Sequence, residues 1–188
     1  MRTALIGGIG NVLLGDDAVG PYVLRLLESQ YEFEPGVDLV DLGTPALDLT
    51  HQILGLRALI LIDSVASDDP PGTVVLYRKE DILAIAPAER IDPHSPALSE
   101  CLLTAEMLGG SPEYVLLVGI VGAEYEAGRR LSEAVQAAVE PAIEAVVSEL
   151  SKLGYSCQKK AAGDPAGIWW AESAAPRVES SQISGLSS

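Results

Sequence analysis

The chain has 188 residues and a mass of 19.7 kDa, which suits one domain, or one domain with a tail. It is 48% hydrophobic with a mean hydropathy of +0.25, enough apolar material to bury a core and too much for a disordered chain. Its 27 Asp and Glu against 12 Lys and Arg leave a net charge of −15. That charge argues against nucleic acid, which needs basic groups to displace counterions, and against docking on an anionic bilayer.

The opening run MRTALIGGIGNVLL is apolar but broken by Gly7, Gly8, Gly10 and Asn11, and it enters Asp16-Asp17 without a small-residue cleavage site. A buried strand over residues 4–9, ended by Gly10-Asn11, accounts for it better than a signal peptide. No stretch approaches the ~18 to 20 unbroken apolar residues of a membrane span. Residues 17–31 follow with Val19, Val23, Leu26 and Leu27 at helical spacing, and Pro21 falls in the first turn, where its missing N–H costs nothing. Asp16 or Asp17 can cap that helix. A second strand spans 37–42, and a helix spans 45–54 with Thr44 as its N-cap.

ALILID, residues 58–63, is the most strand-like run, five apolar residues stopped by an acid. A fourth strand spans 73–77, a helix 95–108, and a fifth strand, YVLLVGIV, 114–121. A final helix covers 132–153 with Pro141 inside it, so a kink or a split is expected there. Five strands separated by helices describe an α/β three-layer sandwich with a mainly parallel five-stranded sheet flanked by helices. Residues 1–153 form that domain, and residues 154–188 read as an irregular C-terminal tail. The tail carries three basic and three acidic residues, so the whole −15 belongs to the domain. Its Trp169-Trp170 pair either packs on the domain surface or docks on a partner. Cys101 and Cys157 form no metal-type pair and too few bridges for a disulfide scaffold, which fits a reducing cytoplasm.

Sites in such folds lie beyond the carboxyl ends of the strands, here residues 10–17, 42–45, 63–68 and whatever follows Val121. The string G8-I-G-N-V-L lacks the third glycine of a dinucleotide fingerprint, and the chain has no P-loop lysine and no GxSxG elbow. A nucleotide-binding reading is weak on those grounds. Asp63 closes a buried strand, where an acid is costly unless paired, hydrogen-bonded or metal-bound; capping of the next loop's amides is the competing explanation. His94, in D92-P-H-S-P, lies in a Pro-braced turn and is either a helix-entry residue or a ligand. His51 reads as a partly exposed helix residue. An acid after strand one, an acid after strand three and a histidine from a later loop can converge on one sheet edge, and that donor set suits a divalent first-row metal.

G8-I-G-N-V-L-L-G-D-D17, D41-L-G-T44, L61-I-D63, D92-P-H94, L117-V-G119 and E140-P-A-I together resemble the hydrogenase maturation proteases, in order over about residues 2–152. These endopeptidases trim the C-terminal extension from the large-subunit precursor of nickel–iron hydrogenases. The resemblance implies that Asp17, Asp63 and His94 are both the metal ligands and the catalytic groups. It also implies that the nickel is supplied by the precursor rather than held as a resident cofactor. Such a protein is expected in the cytoplasm, as a monomer, with the precursor as partner and neither nucleic acid nor membrane. The family's first ligand is commonly Glu, so Asp17 is one methylene shorter. Leu42 stands where a second Gly is common, and the loop after the last strand is G122-A-E-Y-E-A-G here. Asp16 is a candidate base by proximity. A non-catalytic relative that binds nickel or the precursor is the alternative those departures motivate.

Overall fold

The computed structural model describes residues 2–44, 49–84, 95–161 and 168, with the side chains of 95–97 left aside. The apolar runs form strands as expected: β1 (Ala4–Ile9) and, after a 3-10 turn (Gly15–Ala18), helix α1 (Val19–Gln30). Then come β2 (Tyr31–Phe33), β3 (Val37–Gly43), α2 (Leu49–Ile53) and β4 (Ala58–Val65). The remainder is β5 (Val74–Arg78), α3 (Lys79–Ala84), α4 (Ser95–Met107), β6 (Tyr114–Val121), α5 (Glu133–Lys152) and β7 (Cys157–Lys159). Among the described residues no helix is long and apolar enough to cross a membrane.

The sheet order is β3-β1-β4-β6-β5, parallel except for β5, which runs antiparallel to β6. Because side chains alternate across a strand, each central strand feeds both faces. Ile6, Ile60, Ile62, Val118 and Ile120 pack with Val23, Leu27, Ile143 and Val146 of α1 and α5. Leu5, Leu59, Leu61 and Leu117 pack with Ile53, Ile82, Leu98 and Leu102 of α2, α3 and α4. This is the three-layer sandwich read from the sequence.

Four local expectations need correction. Helix α5 is continuous through Pro141. Pro141 and Ala137, whose carbonyl loses its partner to the proline, are both exposed, so water can serve that oxygen while Ala138, Ala142, Ile143 and Val146 hold the helix on the sheet. The cap of α1 is not an aspartate: Ala18 precedes it with no side-chain bond, and both Asp16 and Asp17 are engaged elsewhere. The strand that was to stop at Asp63 runs on to Val65, with Asp63 opposite Gly119 and Ser64 opposite Ile120. Finally, Tyr31, expected to end a helix, opens instead the strand Tyr31–Phe33, which pairs antiparallel with Cys157–Lys159, three residues inside the segment read as an irregular tail. The expected first turn of α2 and its Thr44 cap involve residues 45–48, which lie outside the described residues, as do Trp169 and Trp170.

Away from the carboxyl ends of the strands, Glu149 is a buried hub. It accepts from Arg78 Nη1 at 3.0 Å, from Lys152 Nζ at 2.6 Å and, in a short bond, from the Tyr114 hydroxyl. Burial works to raise its carboxyl, but the Lys152 hydrogen bond and the Arg78 charge outweigh that and hold it below the usual carboxylate range.

Candidate functional site

Three glycines bring the start of α1 onto the sheet. A Cβ at Gly20 would lie 2.1 Å from the Ile9 carbonyl and 2.4 Å from that of Ile62, and one at Gly8 would lie 2.8 Å from the Gly20 carbonyl. Gly10, at φ +138°, faces the Asp17 carbonyl at 1.8 Å from where a Cβ would stand. Only glycine permits this approach. The glycines that fail as a dinucleotide fingerprint therefore have another use: they seat residues 15–20 directly over the carboxyl ends of β1 and β4. Gly10 N–H also donates to the Gly43 carbonyl at 2.8 Å, which ties the end of β1 to the Asp41–Thr44 stretch. Leu42, the departure noted in that stretch, lies over Gly7, where its Cδ1 would be 2.5 Å from a Cβ.

Asp16 and Asp17 are neighbours with different tasks. Asp16 is fully buried and accepts four bonds: from Ala123 N–H at 2.8 Å, Glu124 N–H at 2.9 Å, Ser132 N–H at 2.7 Å and Ser132 Oγ–H at 3.0 Å. Its own N–H donates back to the Glu124 carbonyl at 2.7 Å. Three of these donors converge on Oδ2 and one, Ser132 N–H, on Oδ1, so the carboxylate is fixed in place by the loop it faces. It is an organiser of the 122–132 loop and of the N-terminus of α5, where Ser132 caps the helix through Val135 N–H.

Asp17 is buried too, but each of its oxygens has one donor. Asn11 N–H reaches Oδ2 at 2.8 Å, and the Ser64 hydroxyl reaches Oδ1 at 3.2 Å. Asp63 Oδ1 accepts the Ser64 N–H at 2.7 Å. Ser64 is thus the common partner: its backbone holds one candidate carboxylate and its side chain holds the other. Two of the three expected residues, Asp17 and Asp63, meet at the edge where the topology places sites. His94 lies outside the described residues. Among the described residues no group of three or more His, Cys, Asp and Glu could hold a metal ion, so a metal at this pair needs a further ligand. His51 is exposed on α2, as its sequence position suggested.

Two residues at the site were not singled out from the sequence. One is Ser64, hidden because an uncharged residue after a strand-closing acid carries no motif. The other is Tyr125, whose ring lies against Gly122, where a Cβ would stand 2.3 Å from the phenol oxygen. Burial pushes the Tyr125 phenol up from its ordinary 10.0, the nearby Ser64 side chain works against that, and the charges of Asp16, Asp17 and Asp63 push it further up. Its position after Val121 at the carboxyl edge of the sheet was the only sequence signal for it.

A family model described as hydrogenase maturation protease matches residues 21–149. The Hydrogenase 2 maturation protease of Escherichia coli K12 is 32% identical over 151 residues, spanning 80% of this chain and 92% of that protein. The structure of the hydrogenase maturating endopeptidase HybD from E. coli superposes with a TM-score of 0.79 at 30% identity, covering 85% of this chain and 98% of that one. The [NiFe] hydrogenase maturation protease HybD from Thermococcus kodakarensis gives a TM-score of 0.63 at 30% identity, covering 79% and 99%.

Proposed function

The chain belongs to the hydrogenase maturation protease family, and from that premise we propose that it removes the C-terminal extension of a nickel–iron hydrogenase large-subunit precursor after nickel insertion. In this reading Asp17, Asp63 and His94 recognise the metal that arrives inside the precursor. The observation that supports it most is the pairing of Asp17 and Asp63 through Ser64 at the carboxyl edge of β4. Buried carboxylates are costly unless something compensates them, and Asp17 accepts one donor on each oxygen, with acceptor capacity to spare.

Two ionised carboxylates and a neutral imidazole form a donor set that a divalent first-row ion accepts, with positions left open. Nickel brought by the substrate supplies Lewis acidity toward the scissile carbonyl and a water. The chain's own residues do the rest: Asn11 and Ser64 orient Asp17, and Ser64 orients Asp63. The free thiols of Cys101 and Cys157 accord with placing the protein in the cytoplasm, and we take it to act as a monomer.

The test is incubation with a nickel-loaded precursor, followed by mass spectrometry for loss of the C-terminal peptide. Asp63→Asn and His94→Ala should abolish cleavage. Cleavage unchanged in both variants overturns the ligand assignment. Precursor binding without cleavage under any metal condition identifies a non-catalytic relative instead.

A further inference from the structure

The strand order β1-β4-β6 puts the end of β4, with Asp63 and Ser64, between the turn that leaves β1 and the loop that leaves β6. Asp17 joins that end of β4 through the Ser64 hydroxyl at 3.2 Å. A peptide whose carbonyl reaches the two acids is therefore bordered by these segments, residues 10–14 and 122–128. Among the described residues the large exposed hydrophobics are Leu13, Leu76, Leu103, Met107, Leu108 and Tyr125. One of them stands on each border: Leu13 is 58% exposed and Tyr125 43%.

Leu13 is fixed by its backbone and free only at its side chain. Its N–H donates to Asn11 Oδ1 at 3.0 Å, and its carbonyl accepts from Gly128 N–H at 3.0 Å. The same turn holds Asp17 at both ends: Asn11 N–H donates to Oδ2 at 2.8 Å, and the Leu14 carbonyl accepts the Asp17 N–H at 3.0 Å. Tyr125 is placed by its own loop. A Cβ on Gly122 would lie 2.3 Å from Tyr125 Oη and 3.3 Å from the Asp16 Cβ, so the phenol reaches back beside Asp16, and only glycine leaves room for it. Asp16 pins the intervening amides of Ala123 and Glu124 at 2.8 and 2.9 Å. An apolar side chain on a backbone fixed in this way cannot fold out of water, and a partner that covers it gains the buried area without first ordering the loop.

We propose that Leu13 and Tyr125 are specificity residues for the cleavage reaction: they receive large apolar side chains of the precursor segment that carries the scissile bond. The occupant follows from continuity. The turn that holds Asp17 carries Leu13, and the loop that Asp16 organises carries Tyr125, so a chain lying on both lies against the end of β4. The proposal rests on the reading of Asp17 and Asp63 as the working pair. Met107, 89% exposed, lacks this continuity, because it ends α4 where the chain returns to the amino end of β6.

With the full chain and nickel-loaded precursor, Leu13→Ala and Tyr125→Ala should each raise KM about tenfold while kcat stays within about twofold, because the lost contact is made equally in bound substrate and transition state. Both side chains are exposed, so the melting temperature should stay within about 2 °C of the parent. Met107→Ala should leave KM unchanged. In a second arm, Asp is placed on each side of the precursor's scissile bond. That change should raise the KM of the parent and matter less to the Leu13→Ala, Tyr125→Ala double variant, whose contacts are already gone. Unchanged KM in both single variants overturns the proposal. So does a loss of kcat alone, which makes the two residues supports of the acids rather than contacts of the substrate. An equal effect of the altered precursor on parent and double variant overturns it too, as does a KM rise in Met107→Ala as large as in Leu13→Ala. Should Tyr125→Ala melt well below the parent, Leu13→Ala decides alone. Asp63→Asn is run alongside. If Asp63→Asn is inactive and both alanine variants are normal, only the specificity role fails; if Asp63→Asn cleaves normally, the underlying reading fails with it.

Discussion

Gly20→Ala adds a single methyl at the tightest helix–sheet contact near the site. That Cβ would stand 2.1 Å from the Ile9 carbonyl oxygen and 2.4 Å from that of Ile62, where real Cβ atoms come no nearer than 3.0 Å. Both obstacles are backbone of paired central strands and cannot turn aside. The start of α1 must therefore lift by roughly 1 Å, a gap that already forfeits a quarter to a half of each dispersion contact it opens. Val19 and Val23, both fully buried, lie on the lifted stretch. The cost should reach about 3 kcal/mol, the top of the usual range for overpacking. At roughly 2–4 °C per kcal/mol for a chain of this size, the melting temperature should fall by about 6–12 °C. Asp17, three residues upstream, moves with the helix, and its 3.2 Å bond from Ser64 has little slack before it is lost. Precursor cleavage should then drop even at temperatures where the variant is folded. Thermal melting by circular dichroism and the cleavage assay read the two effects separately. Gly109→Ala is the control: no atom lies within 4 Å of its Cβ, and only its positive φ of 71° opposes the change, at about 1–2 kcal/mol. Gly20→Ala that melts within 2 °C of the parent and cleaves normally refutes the close-approach account.

Asp16→Ala should destabilise by about 2 kcal/mol, because it removes the buried acceptor of three N–H donors and a hydroxyl that are themselves only partly buried. Hydrogen exchange should rise selectively over residues 122–135; uniform protection there would contradict the organiser role. Asp17→Asn, in contrast, should leave the melting temperature nearly intact and abolish cleavage. Glu149→Gln should cost about 1–2 kcal/mol at pH 7, a figure kept low because Arg78 and Lys152 are partly in solvent. The Glu149 carboxyl is held below its ordinary 4.5, so its contribution is complete above that value and is lost as pH falls through the lower folded-state value. The gap in melting temperature between parent and Glu149→Gln should therefore close on acidification below about pH 4.5; a gap that stays constant to pH 3 would remove Glu149 from the acid response.

The sheet was readable because its strands are buried on both faces, so ALILID and YVLLVGIV stand out as unbroken apolar runs. β2 and β7 were not: three residues each, partly exposed, they carry no period and exist only because they meet. Asp63 was legible as an acid where acids are expensive, and Asp17 only by its place after the first strand and by the family resemblance. Their division of labour with Asp16 was not, since adjacent identical residues differ only in which distant amides surround them. Gly8, Gly10 and Gly20 were visible as glycines but were tested against a phosphate-binding spacing, whereas the spacing they obey is that of a helix pressed against two strands. Ser64 is a common residue type whose role is defined by its hydroxyl bond to Asp17, which no sequence window spans.

The four bonds of Asp16 join positions 107 to 116 residues apart. During synthesis, the acids of the site emerge from the ribosome long before Ala123, Glu124 and Ser132 do. Until then Asp16 has none of these donors. The antiparallel pairing of residues 31–33 with 157–159 comes later still. Contacts so distant along the chain close last, after the loop-closure entropy of the intervening segments has been met. A nascent or C-terminally truncated chain therefore carries the acids of a peptidase without their geometry, and proteolytic competence is acquired only by the finished molecule.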